Sequence, residues 1–323
     1  MPPARFCLEE TSLRLPQMVK ANLRAKLAAL LDMIDLCRGE GQQICRYSEL
    51  EKVEIQPGLS VANLLYSVEI NILDHDFRQR LRLAIDRCLH WDADDELAVT
   101  VQQPVKIDGR KEEDAPTVAF VHAQRGAGRA LACMVLLGGA ISAGKKSVTT
   151  GGQTFDIYFI ETADDTLRCF YRDAIEIEDM DRRSFVAHAA LAFPELYLVP
   201  GLEQQFNAFA QSYQKIRPEV VIHMAMLNDH FREIFVRHKG QPTLIQREIK
   251  SKFNIRLSTE SPKTRANKQA ARERRVRVGE DEIACEWHTK LDYRSGRIHF
   301  HPGSMNLVDG KIVIGILADH LST

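Results

Sequence analysis

Residues Cys285–Pro302 read CEWHTKLDYRSGRIHFHP, two runs that alternate apolar and polar residues on either side of a Ser-Gly turn. A period of two belongs to a strand, whose successive side chains point to opposite faces. Cys285, Trp287, Thr289 and Leu291 share one face of the first run, and Ile298 and Phe300 share one face of the second. Glu286, His288 and Lys290 take the opposite face, as do Arg297, His299 and His301. The loop Asp292–Gly296 allows the runs to pair as a hairpin. The pattern thus demands a local antiparallel sheet with one buried side.

A structural hairpin more commonly carries Thr, Ser or Gln on its open side, whereas this one gathers titratable and cationic groups. Imidazoles change charge near neutrality and can shuttle a proton, while Lys and Arg can hold a phosphate and stabilise developing charge. On that reading Glu286, His288, Lys290, Arg297, His299 and His301 are candidate catalytic residues for metal-independent RNA cleavage through the 2′-hydroxyl. Alternatively His288, His299 and His301, with Glu286 as a further ligand, could hold a transition metal. Lys290 and Arg297 on the same face would oppose a cation, so phosphate-facing work ranks first and no metal or cofactor is expected. A third use is to grip a partner without chemistry.

Just upstream, KTRANKQAARERRVR (Lys263–Arg277) sets Lys263, Arg265, Lys268, Arg272, Arg274, Arg275 and Arg277 against the single acidic residue Glu273. The whole chain has a net charge of −1, so a polyanion-binding surface must come from such local segregation. These seven residues are the nucleic-acid-binding candidates, with RNA expected rather than DNA. Thr243–Phe253 reads as a short amphipathic helix, and Ser261-Pro262 as the start of another. Two helices of which the second is basic suggest a helix-turn-helix, although the connection is long for one. A solvated basic helix accounts for the segment equally well.

The rest of the chain reads as α+β. Pro16–Cys37 and Phe77–His90 have helical spacing, the latter with Asp74 or Asp76 as cap. Leu97–Val101, Thr117–His122, Ala130–Leu137, Phe155–Ile160 and Leu167–Tyr171 are short β-like runs with glycine punctuation, which predict a mostly antiparallel sheet. Met180–Phe253 returns to helix, interrupted at Pro194, Pro200, Pro218 and Gly240. GGAISAGKKS (Gly138–Ser147) nearly matches a phosphate-binding loop, but Lys146 stands where the Mg²⁺-holding hydroxyl belongs and the following residues read as a hairpin. At 323 residues the chain suggests two domains, 1–240 and 241–323, with a boundary near Arg237–Pro242. Seven dispersed cysteines without a CxxC pair read as reduced thiols in a cytoplasm. The longest apolar run, Ala130–Leu137, is too short to span a bilayer, and the first residues lack the layout of a secretory signal.

The order helix, helix, then strands reading H-x-K-L, R-I-H-F and K-I-V-I-G-I-L over Thr243–Leu321 resembles the RelE/ParE-type toxin superfamily. That resemblance implies a helical pair on an antiparallel sheet, a bacterial source and mRNA endonuclease activity. It makes Lys290, Arg297, His299 and His301 part of a basic catalytic surface. The chain has no terminal catalytic tyrosine and no strand ahead of the helices, and its N-terminal part is longer than such toxins carry. The form implied is a larger antiviral defence-type protein in which residues 1–240 sense or bind a protein partner. The competing expectation is a non-enzymatic nucleic-acid-binding or interaction subunit of a multi-protein system.

Overall fold

The computed structural model describes residues 4–67, 72–93, 99–110, 113–292 and 296–323. The protein is α+β and divides into two compact units, Met1–Glu178 and Asp179–Thr323.

Among the described residues of the first unit, the main sheet has the strand order Leu89–His90, Gln43–Arg46, Ala4–Leu8, Ala132–Met134, Gln153–Ile160, Gly144–Thr150, Lys106–Ile107. The first five run parallel to their neighbours, and the last two add on antiparallel. The antiparallel character expected from the sequence is thus confined to one edge. Parallel neighbours need a crossover, which helices usually provide. Lys20–Gly39 lies between Ala4–Leu8 and Gln43–Arg46, His75–Asp86 leads into Leu89–His90, and Pro116–Gly126 precedes Ala132–Met134. Asp74 caps His75–Asp86 by accepting from the Phe77 amide at 2.8 Å.

Two of the β-like runs are helical. Thr117–His122 lies in Pro116–Gly126, and Leu167–Tyr171 lies in Asp165–Ile177, whose cap Asp164 accepts from the Thr166 amide. Every residue from Thr117 to Val121 is wholly buried. A helix buried all round shows no polar face, so its short apolar run looks like a core strand. Of Leu97–Val101, Leu97 and Ala98 lie outside the described residues and Val99–Val101 forms no strand. Gly144–Thr150 and Gln153–Ile160 form the expected hairpin, turning at Gly151 and Gly152, both at positive φ. Lys145, the would-be phosphate lysine, pairs instead with Asp173 at 2.8 Å.

The cysteines depart from the all-thiol expectation. Cys7 and Cys45 face each other on directly paired parallel strands and form a disulfide. Cys37, Cys88, Cys133 and Cys285 are free and buried, and Cys169 is free and exposed. Among the described residues no helix is long and apolar enough to cross a membrane.

In the second unit the main sheet has the order Leu196–Leu198, Ile312–Ala318, Arg297–His301, Trp287–Lys290, Arg256–Thr259. The first pair is parallel and the others antiparallel. Trp287 and Phe300 meet the edge of Phe231, with ring centroids 5.7 and 5.0 Å away, and Trp287 also meets Phe235 at 5.9 Å. Those two phenylalanines come from the helical stretch Leu227–Arg237, so the stretch completes the core of the sheet that follows it. This is why the compact unit begins at Asp179 and not near Arg237–Pro242.

The expected plan of two helices and then three strands also changes. Strand Arg256–Thr259 stands between helix Pro242–Phe253 and the short helices Pro262–Ala266 and Lys268–Glu273, which removes the tight turn of a helix-turn-helix. Hairpin Arg275–Val278/Asp281–Ala284 follows. Pro218 is accommodated inside helix Tyr213–Met226 and does not interrupt it.

Candidate functional site

The period-two alternation gives the faces of the C-terminal hairpin correctly. Trp287 pairs with Phe300, His288 with His299, Thr289 with Ile298 and Lys290 with Arg297. Opposed residues share a face, so His288, His299, Lys290 and Arg297 lie together, and Trp287, Phe300 and Ile298 lie on the other side. Of the connecting loop Asp292–Gly296, residues 293–295 lie outside the described residues.

The polar face is not open at its centre. His288 is 7% exposed and His299 1%. Glu260, just ahead of the basic segment, lies against both rings, with Arg274, near the end of that segment, on the same carboxylate. Strand Arg256–Thr259 runs beside Trp287–Lys290, and the Glu260 amide extends that pairing by donating to the Glu286 carbonyl at 3.0 Å. Ser261 then caps Pro262–Ala266 by accepting from the Thr264 amide, and Asn267 caps Lys268–Glu273 by accepting from the Gln269 and Ala270 amides. The chain comes back at Arg274, whose carbonyl accepts from the Cys285 amide at 2.7 Å. Arg274 is 4% exposed, and its Nη1 donates to the carbonyls of Ala270 and Ser322 at 2.7 and 3.0 Å.

These turns bring four side chains to one point. Glu260 Oε1 lies 2.8 Å from Arg274 Nε, 3.3 Å from His288 Nδ1 and 3.8 Å from His299 Nδ1. The two imidazole rings are 4.9 Å apart, tilted by 40°. Burial pushes the Glu260 carboxyl up, but His288 and Arg274 outweigh it and hold the group down at about 2. Burial lowers His299 to about 3, helped by the neighbouring His288. Burial lowers His288 too, against the pull of Glu260. Near neutrality the point therefore holds a carboxylate, a guanidinium and two neutral imidazoles. A neutral imidazole can accept a proton, but its remaining N–H is far too weak an acid to serve as the general acid near neutrality.

The remaining candidates are dispersed around this centre. Glu286 is half-buried and pairs with Arg265 at 3.0 Å. His301 is half-buried, and its Nδ1 accepts from the Gly303 amide at 3.0 Å. The Arg297 guanidinium donates to the Asp319 carbonyl at 2.9 Å. Lys290 is half-buried, with Arg256 opposite on one neighbouring strand and Arg297 on the other. Of the basic segment, Lys263, Arg265, Lys268, Arg272, Arg275 and Arg277 are exposed. Arg275 pairs with Glu282 at 2.7 Å. Arg274 alone of the seven turns inward.

Sequence reasoning missed Glu260, a single acid placed between a strand and the Ser-Pro helix start. It also missed Glu9 and Glu10 in the first unit. Both follow strand Ala4–Leu8 at its carboxyl end and are buried, 1% and 3% exposed. Glu10 Oε1 accepts from the Thr117 amide at 3.0 Å, at the start of helix Pro116–Gly126. A crevice of about 660 Å³ opens there, lined among others by Glu10, Arg14, Tyr47, Lys52 and Asp114. The carboxyl ends of parallel strands are where such sheets bind ligands, with anions at helix N-termini. Here the protein's own carboxylate fills the anion position.

No family model matches the chain, and neither a curated protein nor a solved structure shows significant similarity to it.

Proposed function

We propose that the second unit, Asp179–Thr323, binds nucleic acid through the ridge Pro262–Arg277 without cleaving it. The observation that carries this reading is the contrast within one short segment. Arg274 is drawn inward and anchors the ridge, while Lys263, Lys268, Arg272 and Arg277 stay exposed and make no ion pair with an acid among the described residues. Cations held on a fixed scaffold without internal partners suit a phosphate backbone, whose condensed counterions they release on binding. Pro262–Ala266 and Lys268–Glu273 are each a single short turn or two, so the ridge fits contact along a backbone better than insertion of a reading helix into a groove. RNA is the expected partner over DNA, carried from the sequence. Metal-independent cleavage is the weaker reading, because its central imidazoles are buried and neutral.

The test is binding of labelled single-stranded RNA and DNA across a salt series, with product gels run alongside. Wild-type protein should bind with a negative log–log salt slope. The Lys268→Ala/Arg272→Ala variant should flatten it by roughly 0.7 per removed charge on a single strand. An unchanged slope and affinity in that variant returns the ridge to a solvated surface, and cleavage products that persist in EDTA would restore the nuclease reading.

A further inference from the structure

We propose that Glu260, His288 and His299 form a binding site for one divalent transition-metal ion of the zinc class. The three residues come from separate places in the chain, yet one ligand atom from each lies within 4.8 Å of the others. Bonds of about 2.0–2.1 Å to nitrogen and oxygen in a tetrahedron imply ligand–ligand edges of about 3.3 Å. The carboxylate oxygen stands 3.3 Å from the His288 nitrogen and 3.8 Å from that of His299. Of the three edges, one therefore already has the required length, a second exceeds it by about half an ångström, and the third, between the two imidazole ligand atoms, is at most 4.8 Å.

The polar atoms at this point argue independently for a ligand. His288 Nδ1 and both ring nitrogens of His299 are buried and make no hydrogen bond among the described residues, nor does Glu260 Oε1, which keeps only its ion pair with Arg274 at 2.8 Å. Buried polar atoms are almost always paired, and each one left bare carries its full desolvation cost. A cation bound to the oxygen and the two Nδ1 atoms would resolve three of these at once. The scaffold is fixed as well. His288 and His299 are direct cross-strand partners, and the Glu260 amide is tied to the Glu286 carbonyl.

Arg274 decides which ions qualify. Its guanidinium lies against the same carboxylate, so binding requires it to pair with the other oxygen, and its charge weakens any purely ionic attraction. Mg²⁺ and Ca²⁺, which depend on several hard oxygen ligands, are excluded on that ground. Zn²⁺, Co²⁺ and Ni²⁺, which bond strongly to imidazole, are not. Three protein ligands leave a fourth position for water or another small donor.

The experiment begins with full-length protein stripped by a chelator and dialysed. Titration with Zn²⁺ should show one equivalent bound, with no binding of Mg²⁺. Co²⁺ should give the visible absorption of a tetrahedral ion, present in His301→Gln and lost in His299→Gln and Glu260→Gln. Because those two variants alter a buried cluster and their folding is open to challenge, the deciding measurement uses the wild type. X-ray absorption of the zinc-loaded protein should show two imidazoles in the first shell. Failure to bind one equivalent overturns the proposal. So does a shell with fewer than two imidazoles or with sulfur, which would assign the ion to a surface thiol such as Cys169.

Discussion

Each unit buries a carboxylate, and the two behave in opposite ways. Glu9 in the first unit is 1% exposed and Glu260 in the second 8%. Glu9 accepts from the Thr11 amide at 2.9 Å, the Thr11 hydroxyl at 2.6 Å and the Ser12 amide at 2.6 Å, with no cation among them. Burial and the adjacent Glu10 push it up to about 7. Glu260 is also pushed up by burial, yet Arg274 and His288 bring it down to about 2. Aligned dipoles do not offset the loss of water around a full charge here; a neighbouring positive charge does. The first unit therefore holds a proton in its core through the mildly acidic range and gives it up around neutrality, whereas the second keeps a charge.

Three experiments would break or sharpen that contrast, and the protein's two tryptophans make them separable, because Trp91 reports on the first unit and Trp287 on the second. Each uses the Trp91→Phe or Trp287→Phe background, in EDTA. The largest effect belongs to Arg274→Met, which leaves Glu260 as a buried charge short of its main partner. It should cost the Trp287-reported transition about 3–5 kcal/mol in urea, as for other buried pairs cut on one side. Adding Glu260→Leu should recover much of that loss. Equal losses in the single and double variants would mean that charge is not what matters there.

The next effect is on pH dependence. Glu260 and His299 both have folded values below their ordinary 4.5 and 6.5. Below those ordinary values the unfolded chain binds more protons than the folded one, so the Trp287 transition should weaken as pH falls from 6.5, more steeply below 4.5. Glu9 has the reverse sign. Its folded value lies above 4.5, so its contribution is fully present below 4.5 and is lost as pH rises towards 7. The Trp91 transition should therefore carry an opposing component between pH 4.5 and 7. Glu9→Gln should flatten that component, the smallest of the three changes, whatever its effect on absolute stability. Slopes of the same sign in both reporters, untouched by Glu9→Gln, would contradict the assignment.

What could be read in advance follows the range of the forces involved. The face on which His288, His299, Trp287 and Phe300 each lie is set by local strand geometry, and the period of two gives it correctly. What lies on top of a face is set by contacts distant in sequence. Arg274 looks like its six basic neighbours in the one-letter string, and only the return of the chain after Lys268–Glu273 turns it inward. Glu260 carries no periodic signal at all. The same limit explains Thr117–His122 and the domain boundary: a wholly buried helix hides its period, and Phe231 and Phe235 do not announce which sheet they will cover.

The parallel pairing of Leu196–Leu198 with Ile312–Ala318 has a kinetic consequence. The sheet of the second unit cannot close until a strand far downstream returns past the whole hairpin and ridge to reach Leu196. Closing so long a loop costs entropy before any contact repays it, so this step comes late in folding. Until then Ile312–Ala318, reading IVIGILA, offers a bare apolar edge of the kind that pairs with other chains. The protein's window of aggregation is thus the interval before one short three-residue strand finds its partner.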